Sequence, residues 1–217
     1  MSTRSLTRRP LKSRDTRWAH AGARWLAERR VRPNHISLLS LPFAALAGAS
    51  FLSIRRVGQP WESALYLAAA ICIQLRLLCN LLDGMVAIEG GFRSKSGDVF
   101  NEFPDRIADA LILAPAGYAL DLPFGRELGW TAALLAVLTA YVRALGASLG
   151  APQDFCGPMA KPHRMAVITA GCLAATIENW FAGSAWSLAV ALGIVAAGSL
   201  VTVLRRTIRL IRRLEGL

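Results

Sequence analysis

Two polar motifs interrupt apolar sequence in this chain: Asn80-Leu-Leu-Asp83-Gly84-Met-Val-Ala87 and Gly97-Asp-Val-Phe-Asn101-Glu-Phe-Pro-Asp105-Arg-Ile-Ala-Asp109. Their acids and amides recur every three or four residues, the spacing that places side chains on one face of an α-helix. Acidic side chains are costly inside a bilayer, and those found there usually mark a working site. The motifs therefore predict a polar site built on membrane helices.

The composition favours a membrane protein over a soluble one. Of the 217 residues, 54% are hydrophobic, yet the formal net charge is +11. A soluble domain does not combine these two properties easily, whereas apolar spans flanked by basic segments do. We therefore expect an all-α integral membrane bundle in a bacterial-type inner (cytoplasmic) membrane.

The lengths of the apolar stretches predict the number of spans. A hydrocarbon core of about 30 Å needs about 20 mostly apolar residues per helix. Six stretches qualify: 35–54, 63–82, 100–122, 130–149, 165–181 and 185–204. A soluble helical protein is the alternative, but the last stretch has no charged residue on any side and so no face for water.

The distribution of Lys and Arg predicts the orientation. Basic residues crowd both ends of the chain, so both termini should be cytoplasmic, which requires an even number of spans. Only Arg55, Arg56 and Arg126 then lie on the opposite side. This arrangement divides the chain into a basic cytoplasmic arm, 1–32, and a six-helix transmembrane domain, 33–217.

The basic arm contains Trp18, Ala21 and Trp25 at helical spacing among many arginines. This pattern predicts an amphipathic helix that lies on an anionic membrane surface, although a solvated basic tail would look similar. The arm has no long apolar core before a small-residue cleavage site, so we do not expect a signal peptide. Nucleic acid is not an expected partner, because the charge brackets membrane spans and no binding motif accompanies it.

The polar faces of the two motifs predict a cation site. Two faces that meet would surround a small volume with oxygen atoms, and hard divalent cations such as Mg²⁺ prefer carboxylate and carbonyl oxygen. Alternatively, the acids only neutralise Arg76 and Arg106 inside the bilayer. The predicted faces consist of Asn80, Asp83 and Ala87 on one helix, and Asn101, Asp105 and Asp109 on the next.

Gly84 and Gly97 border the segment between the motifs, and glycine allows a backbone or a ligand to approach closely. The intervening polar turn carries Arg93 and Lys95, which could meet phosphate oxygens. These residues predict that the site accepts a phosphate-bearing substrate.

Pro104 constrains how the second motif can fold. Inside a helix its ring would clash with the carbonyl of Phe100, at a cost of about 3 kcal/mol or more. We therefore expect either a helix that begins near Glu102, with Asn101 at or before its cap, or a kink at Pro104.

The motifs resemble the signature of the CDP-alcohol phosphotransferases, D-x-x-D-G-x-x-A-R followed by G-x-x-x-D-x-x-x-D. A further similarity to this family is the sequence Arg32-Pro33-Asn34-His35-Ile36-Ser37, which looks like the start of the family's first helix. The resemblance implies six transmembrane helices, a homodimer and an active site that opens to the cytoplasm.

Aligned on Asp83-Gly84, Ala87 and Gly97, the four signature acids fall at Asn80, Asp83, Asn101 and Asp105. In the family the first three bind the metal, and the fourth also acts as the base. The resemblance therefore implies Asp83 and Asp105 as ligands, Asp105 as base, and the two asparagines as neutral oxygen ligands. In a second possible frame, Asp105-Arg-Ile-Ala-Asp109 is the last part of the signature, and Asp109 is then the base.

The resemblance also implies how substrates bind. The donor would contact Asn34, Gly84, Ala87, Arg93, Lys95 and Gly97. Ala87 is followed by Ile88 where the family usually has arginine, so Arg93 or Lys95 would replace a diphosphate contact. Basic residues would bind the acceptor or a lipid phosphate: Arg143, Lys161 and Arg164. For Lys161 and Arg164, a plain topology signal is the alternative.

The implied reaction is the transfer of a phosphatidyl group, with Mg²⁺ or Mn²⁺ as cofactor. The expected donor is CDP-diacylglycerol, and an acceptor alcohol attacks it to release CMP. Two alternatives stay open. A catalytically altered protein could bind the nucleotide or lipid without turnover, as the two asparagines would suggest, and a small transporter could use the buried charges to line a path.

Overall fold

The computed structural model describes residues 16–92 and 97–216. Within these ranges the chain forms seven α-helices and no β-strand. Their bounds are Arg17–Glu28 (α1), Pro33–Ile54 (α2), Trp61–Glu89 (α3), Gly97–Tyr118 (α4), Gly125–Ser148 (α5), Lys161–Ala182 (α6) and Trp186–Leu214 (α7). The all-helical prediction is confirmed.

Helices α2 to α7 pack as a closed bundle. Going round it, α2 contacts α3, α3 contacts α6, α6 contacts α7, α7 contacts α5, α5 contacts α4, and α4 returns to α2. The core contains fully buried apolar side chains from every one of these helices: Phe51, Ile73, Ile112, Ala136, Ile168 and Leu192. The polar motifs at the end of α3 and the start of α4 consequently lie at the same end of the bundle.

Glycine allows the backbones of α4 and α5 to approach closely. A Cβ atom built on Gly117 would lie 2.3 Å from the carbonyl oxygen of Gly125 and 2.8 Å from the Cα atom of Gly129. A Cβ atom on Gly129 would lie 2.6 Å from the carbonyl oxygen of Ala114. Small residues at such crossings are typical of membrane helix pairs, where close van der Waals packing replaces the hydrophobic driving force.

Five helices are long and apolar enough to cross a membrane: α2, α3, α5, α6 and α7. Helix α4 is as long as α2, but its first half carries Glu102, Asp105, Arg106 and Asp109, which lower its mean hydropathy. Five of the six predicted spans are therefore found by length and composition, and the polar third span is not.

Several helices extend beyond the apolar stretches. Helix α3 continues to Glu89 and α7 to Leu214, because a helix does not have to end where its apolar stretch ends. The expected helix start near Glu102 is wrong, since α4 begins at Gly97 and continues through Pro104. Asn101 accordingly lies inside the helix and not at its cap.

Helix α1 lies within the predicted basic arm and packs on the C-terminal part of α3. Ala19 and Ala23 are fully buried against a small cluster that includes Val86, whereas Trp18 and Trp25 are exposed. His20 Nδ1 lies 2.9 Å from Glu89 Oε1 and connects the two helices a second time. The first half of the basic arm lies outside the described residues.

Candidate active site

The first component of the candidate site joins α2 to the end of α3. The hydroxyl of Ser37 donates a hydrogen bond to Asp83 Oδ2 at 2.5 Å, and Asp83 is 4% exposed. Ser37 lies in the first turns of α2 because Pro33 occupies the start of that helix, where proline is well tolerated. Asp105 and Lys161 lie within electrostatic reach of Asp83, so the carboxylate faces the other half of the site.

The second component is the carboxylate of Asp105 on α4, which is 5% exposed. Its Oδ2 atom contacts the ammonium group of Lys161, the first residue of α6. Its Oδ1 atom lies 3.4 Å from Arg76 Nη2 on α3. Three helices therefore position this one carboxylate, and two cations flank it.

The third component is Asp109, one turn further along α4 and fully buried. Arg164 Nη2 donates to Asp109 Oδ2 at 2.7 Å, and Arg76 Nη2 donates to Asp109 Oδ1 at 3.0 Å. Arg164 also donates to Thr139 Oγ1 at 3.2 Å and to the carbonyl oxygen of Met159 at 3.1 Å. Both oxygens of Asp109 are therefore engaged by arginine.

Glu102 forms a separate acidic centre at the start of α4. It contacts Arg106 on its own helix, and Arg143 Nη2 on α5 donates to Glu102 Oε2 at 2.5 Å. The Arg143 guanidinium also lies over the ring of Phe155, 5.4 Å from its centroid. Arg143 thus has the anionic partner that an arginine inside an apolar helix requires.

Positive charge exceeds negative charge in this network. Five basic side chains engage three carboxylates in ion pairs, which are Arg76, Arg106, Arg143, Lys161 and Arg164 with Glu102, Asp105 and Asp109. Asp83 adds one negative charge beside it. The balance is suited to an anionic ligand such as a diphosphate, because the ligand would neutralise the excess.

The other residues predicted from the motifs are placed around this network. Asn80 is half-buried one turn before Asp83, and Asn101 is exposed one turn before Asp105. Asn34, Gly84, Ala87 and Gly97 are half-buried at the ends of α2, α3 and α4 on the same side of the bundle. Arg93 and Lys95 lie outside the described residues.

The donor chemistry of these residues fits a divalent cation, though with few carboxylates. Within 16–92 and 97–216, no cluster of three or more His, Cys, Asp or Glu side chains could hold a metal ion. Two motif positions are asparagine, and Lys161 and Arg76 engage Asp105. The buried Nδ2 atom of Asn80 has no hydrogen-bond partner within the described residues, and because this atom is a donor, Asn80 would hold a cation only through its Oδ1 atom. Asp83 and Asn80 therefore fit one Mg²⁺ or Mn²⁺ ion better than two.

Sequence reasoning missed two contributors to the site. Ser37 ends the sequence Pro33-Asn34-His35-Ile36-Ser37, which resembles the start of the family's first helix. That resemblance was the signal that could have placed Ser37 beside Asp83. Arg76 was expected only to neutralise acids, and it does pair with Asp105 and Asp109, which partly bears out that alternative. Arg106 instead pairs with Glu102.

Comparison with known proteins identifies homologues of this chain, although no protein-family model matches the sequence. The inner membrane protein YnbA of Escherichia coli (strain K12) is 29% identical over 169 residues, which are 76% of this chain and 80% of that protein. The phosphatidylinositol phosphate synthase of Mycolicibacterium smegmatis is 28% identical over 167 residues, which are 75% of this chain and 70% of that protein.

Two solved structures of Mycobacterium tuberculosis phosphatidylinositol phosphate synthase have the same fold. The structure with CDP-DAG bound has a TM-score of 0.71 at 21% identity and covers 90% of this chain and 94% of that one. The structure in complex with manganese and citrate has a TM-score of 0.71 at 20% identity, with 88% of each chain covered. The chain is therefore similar in sequence to phosphatidylinositol phosphate synthases and shares the fold of one of them, and its apolar helices are those of a multi-pass membrane protein.

Proposed function

We propose that this chain is a membrane phosphatidyltransferase. It moves the phosphatidyl group of a CDP-alcohol, with CDP-diacylglycerol as the expected donor, to an acceptor alcohol and releases CMP. The observation that carries the proposal is the meeting of Asp83, Asp105 and Lys161, from two motif helices and α6, in one buried and positively charged site. The similarity to phosphatidylinositol phosphate synthases supports it.

The donor's diphosphate enters the positive end of the bundle. Asn34, Gly84, Ala87 and Gly97 line the approach to Asp83, and the backbone at the two glycines leaves room for the nucleotide. Arg93 and Lys95 lie between α3 and α4 in the sequence and would supply further cations for the phosphates. The lipid tails extend into the bilayer between helices.

Asp83 and Asn80 would hold a divalent ion, and Asp105 and the exposed Asn101 are the other two ligands that the motif implies. The ion would supply Lewis-acid polarisation of the diphosphate. Ser37 orients Asp83 by donating to its Oδ2 atom. A hydrogen-bond partner of this kind fixes the orientation of a metal ligand and raises its affinity for the metal.

Asp105 is the general base. Its carboxylate accepts the proton of the acceptor hydroxyl while the hydroxyl oxygen forms a bond to the lipid-linked phosphorus. The bond from that phosphorus to the bridging oxygen breaks, and CMP leaves with the electron pair. Lys161 and Arg76 hold the base in place. Asp109 has both oxygens engaged by arginine, so we assign it the role of positioning Arg76 and Arg164.

The acceptor binds on the side of the site formed by α5 and α6. Arg143 and Lys161 retain partial exposure, with side chains 17% and 22% accessible, whereas Arg164 is 2% accessible and organises the wall behind them. Two cations at this position favour an acceptor that carries a phosphate. Inositol phosphate is the first candidate because four curated relatives are phosphatidylinositol phosphate synthases.

The topology proposed for this function has six spans with both termini in the cytoplasm. Helix α4 serves as the sixth span, since 22 residues at 1.5 Å per residue reach about 33 Å and two of its acids, Asp105 and Asp109, are buried among its neighbours. Helix α1 lies on the membrane surface, with Trp18 and Trp25 facing the lipid. A homodimer would complete the assembly, as the family resemblance implies.

A second candidate is a protein that binds CDP-alcohol without turnover. Asn80 and Asn101 remove two negative charges from the motif, and Lys161 already neutralises one that remains. Such a protein would retain affinity for the donor and release no CMP at any metal concentration.

The proposal is tested by identifying the product. Purified protein is incubated with CDP-diacylglycerol, Mg²⁺ or Mn²⁺, and one acceptor at a time from a panel of inositol phosphate, glycerol phosphate, serine, inositol and choline. Lipids are then analysed by mass spectrometry. One new phospholipid that requires both metal and acceptor supports the transferase. Donor binding without any new lipid supports the second candidate.

A further inference from the structure

A cavity of about 370 Å³ lies at the end of the bundle opposite to Asp83. It forms where α2 and α4 end, where α3 begins, and where α6 turns into α7. The separation between Tyr66, which lines the cavity, and Asp83 corresponds to about 25 Å of helix at 1.5 Å per residue. The cavity is therefore separate from the candidate active site.

Two polar side chains that line the cavity, the nearly buried Tyr66 and the half-buried Glu62, are left without a partner by the described part of the chain. Tyr66 is 2% exposed, and its hydroxyl has no hydrogen-bond partner in the described part of the chain. Glu62, one turn earlier on α3, lies close enough to influence Tyr66 and forms no ion pair within the same residues. Buried polar groups normally have partners. Their presence here indicates a ligand that supplies a hydrogen-bond donor and a positive charge.

A cation, Arg55, lines the same cavity. Arg55 Nη1 donates to Asp121 Oδ1 at 2.5 Å and to the carbonyl oxygen of Leu120 at 3.1 Å. A guanidinium group has five N–H donors, so this arginine keeps donors for an anion. Asn179, which is 3% exposed, also lines the cavity and is fixed by a hydrogen bond from its Nδ2 atom to Ser63 Oγ at 3.2 Å.

Exposed aromatic side chains surround this end of the bundle. Each is more than half exposed, and each lies in the terminal turns of a helix or just outside it, close to the cavity: Trp61, Phe124, Trp130, Trp180, Phe181 and Trp186. Tryptophan collects where hydrocarbon meets the headgroups, because its ring is apolar and its N–H is polar. The cavity therefore opens at the depth of lipid headgroups, and Trp186 forms part of its lining.

We propose that this cavity binds the amine–phosphate headgroup of a zwitterionic phospholipid in the leaflet opposite to the candidate active site. The ammonium group donates to Glu62 and to the Tyr66 hydroxyl oxygen. The phosphate accepts from Arg55. A headgroup with one charge of each sign complements the carboxylate of Glu62 and the guanidinium of Arg55, which line the same cavity, whereas a purely anionic headgroup would leave Glu62 unpaired. This proposal does not depend on the transferase activity.

The experiment is native mass spectrometry of the purified full-length chain in detergent. It is titrated with dioctanoyl phosphatidylethanolamine and, separately, with dioctanoyl phosphatidylglycerol. Tyr66→Phe removes one hydroxyl and Glu62→Gln removes one charge. Glu127→Gln is the matched control, because Glu127 is exposed in the first turn of α5 at the same end and does not line the cavity. Thermal melting confirms that each variant is folded.

We expect phosphatidylethanolamine to bind at least tenfold more tightly than phosphatidylglycerol. Each cavity variant should weaken that binding about tenfold, as expected for one charge-assisted hydrogen bond, and the control should leave it unchanged. Equal binding of the two lipids, or equal behaviour of Glu62→Gln and Glu127→Gln, would overturn the proposal. Glycerophosphoethanolamine that bound as tightly as the lipid would show a site for the free compound and overturn the lipid assignment.

Discussion

Arg164 holds Asp109 inside the bundle: its Nη2 atom donates to Asp109 Oδ2 at 2.7 Å, and neither side chain is more than 2% exposed. Arg76 engages the other oxygen at 3.0 Å. A carboxylate with both oxygens engaged by arginine is poorly placed to accept a proton from a substrate. Asp105, whose partners are the partly exposed Lys161 and a longer contact to Arg76, is better suited to that role.

The first prediction separates these two acids. Asp109→Asn leaves Arg76 and Arg164 without their shared counter-charge, and removal of one partner from a buried pair costs about 3–5 kcal/mol. We expect a markedly lower melting temperature. Asp105→Asn should lower the melting temperature less, because Lys161 is partly exposed and the contact to Arg76 is longer, but it should reduce CMP release at least about 100-fold. A folded but inactive Asp109→Asn, together with an active Asp105→Asn, would make Asp109 the base.

The second prediction concerns the hydrogen bond from Ser37 to Asp83. Ser37→Ala removes the group that orients this carboxylate, and loss of such a partner typically weakens metal affinity 10–100-fold, so we expect about tenfold here. The Mn²⁺ concentration for half-maximal CMP release should rise by that factor. Ser37→Thr keeps a hydroxyl and should stay close to wild type. A similar rise in both variants would indicate a packing defect instead.

The third prediction restores a charge to the motif. Asn80→Asp places a second carboxylate one turn before Asp83, and a further negative oxygen ligand should favour a divalent cation. The Mn²⁺ concentration for half-maximal activity should fall, and a second ion should become detectable by isothermal titration. Asn101→Asp, at an exposed position, should have a smaller effect. Unchanged metal dependence in Asn80→Asp would place the metal elsewhere.

The fourth prediction tests Lys161, which contacts Asp105. Lys161→Met removes a cation from the site and should lower CMP release by up to about 100-fold, because one charge-assisted hydrogen bond is worth about 3 kcal/mol at most. Lys161→Arg keeps the charge and should recover part of the activity. If Lys161 is only a topology signal, it takes no part in the reaction. Full activity of Lys161→Met would therefore favour that simpler role.

The fifth prediction concerns the crossing of α4 and α5. Gly117→Ala introduces a Cβ atom 2.3 Å from the carbonyl oxygen of Gly125, so the helices must separate and the melting temperature should fall. Gly193→Ala is the control, since nothing lies within 4 Å of the added atom, and it should melt at or slightly above the wild-type temperature. Equal melting temperatures would contradict the close crossing.

Sequence patterns predicted the helices better than their ends. Apolar length located five of the spans because a bilayer demands about 20 residues, but α3 and α7 run past that length into polar sequence. Pro104 suggested either a helix start near Glu102 or a kink, and the helix start is wrong. The chain continues through Pro104 inside α4. Proline has no N–H to donate to the carbonyl oxygen of Phe100, so one helix hydrogen bond is missing in the first half of α4.

The candidate site was predictable only within single helices. Helical spacing placed Asp105 and Asp109 on one face, and the motif resemblance identified Asp83. The pairing of Asp109 with Arg164 spans 55 residues and depends on how α4 packs relative to α6, which no local pattern encodes. Predictions for Arg93 and Lys95 fall outside the described residues and stay predictions.

The most direct test of the central claim is CMP release from CDP-diacylglycerol by the purified protein, measured with and without Mn²⁺ beside Asp105→Asn. Donor binding is measured on the same samples. The account predicts release that requires both metal and acceptor, and a variant that binds the donor normally but releases no CMP. Donor binding with no release by the wild-type protein, across the acceptor panel and at every metal concentration, would contradict it.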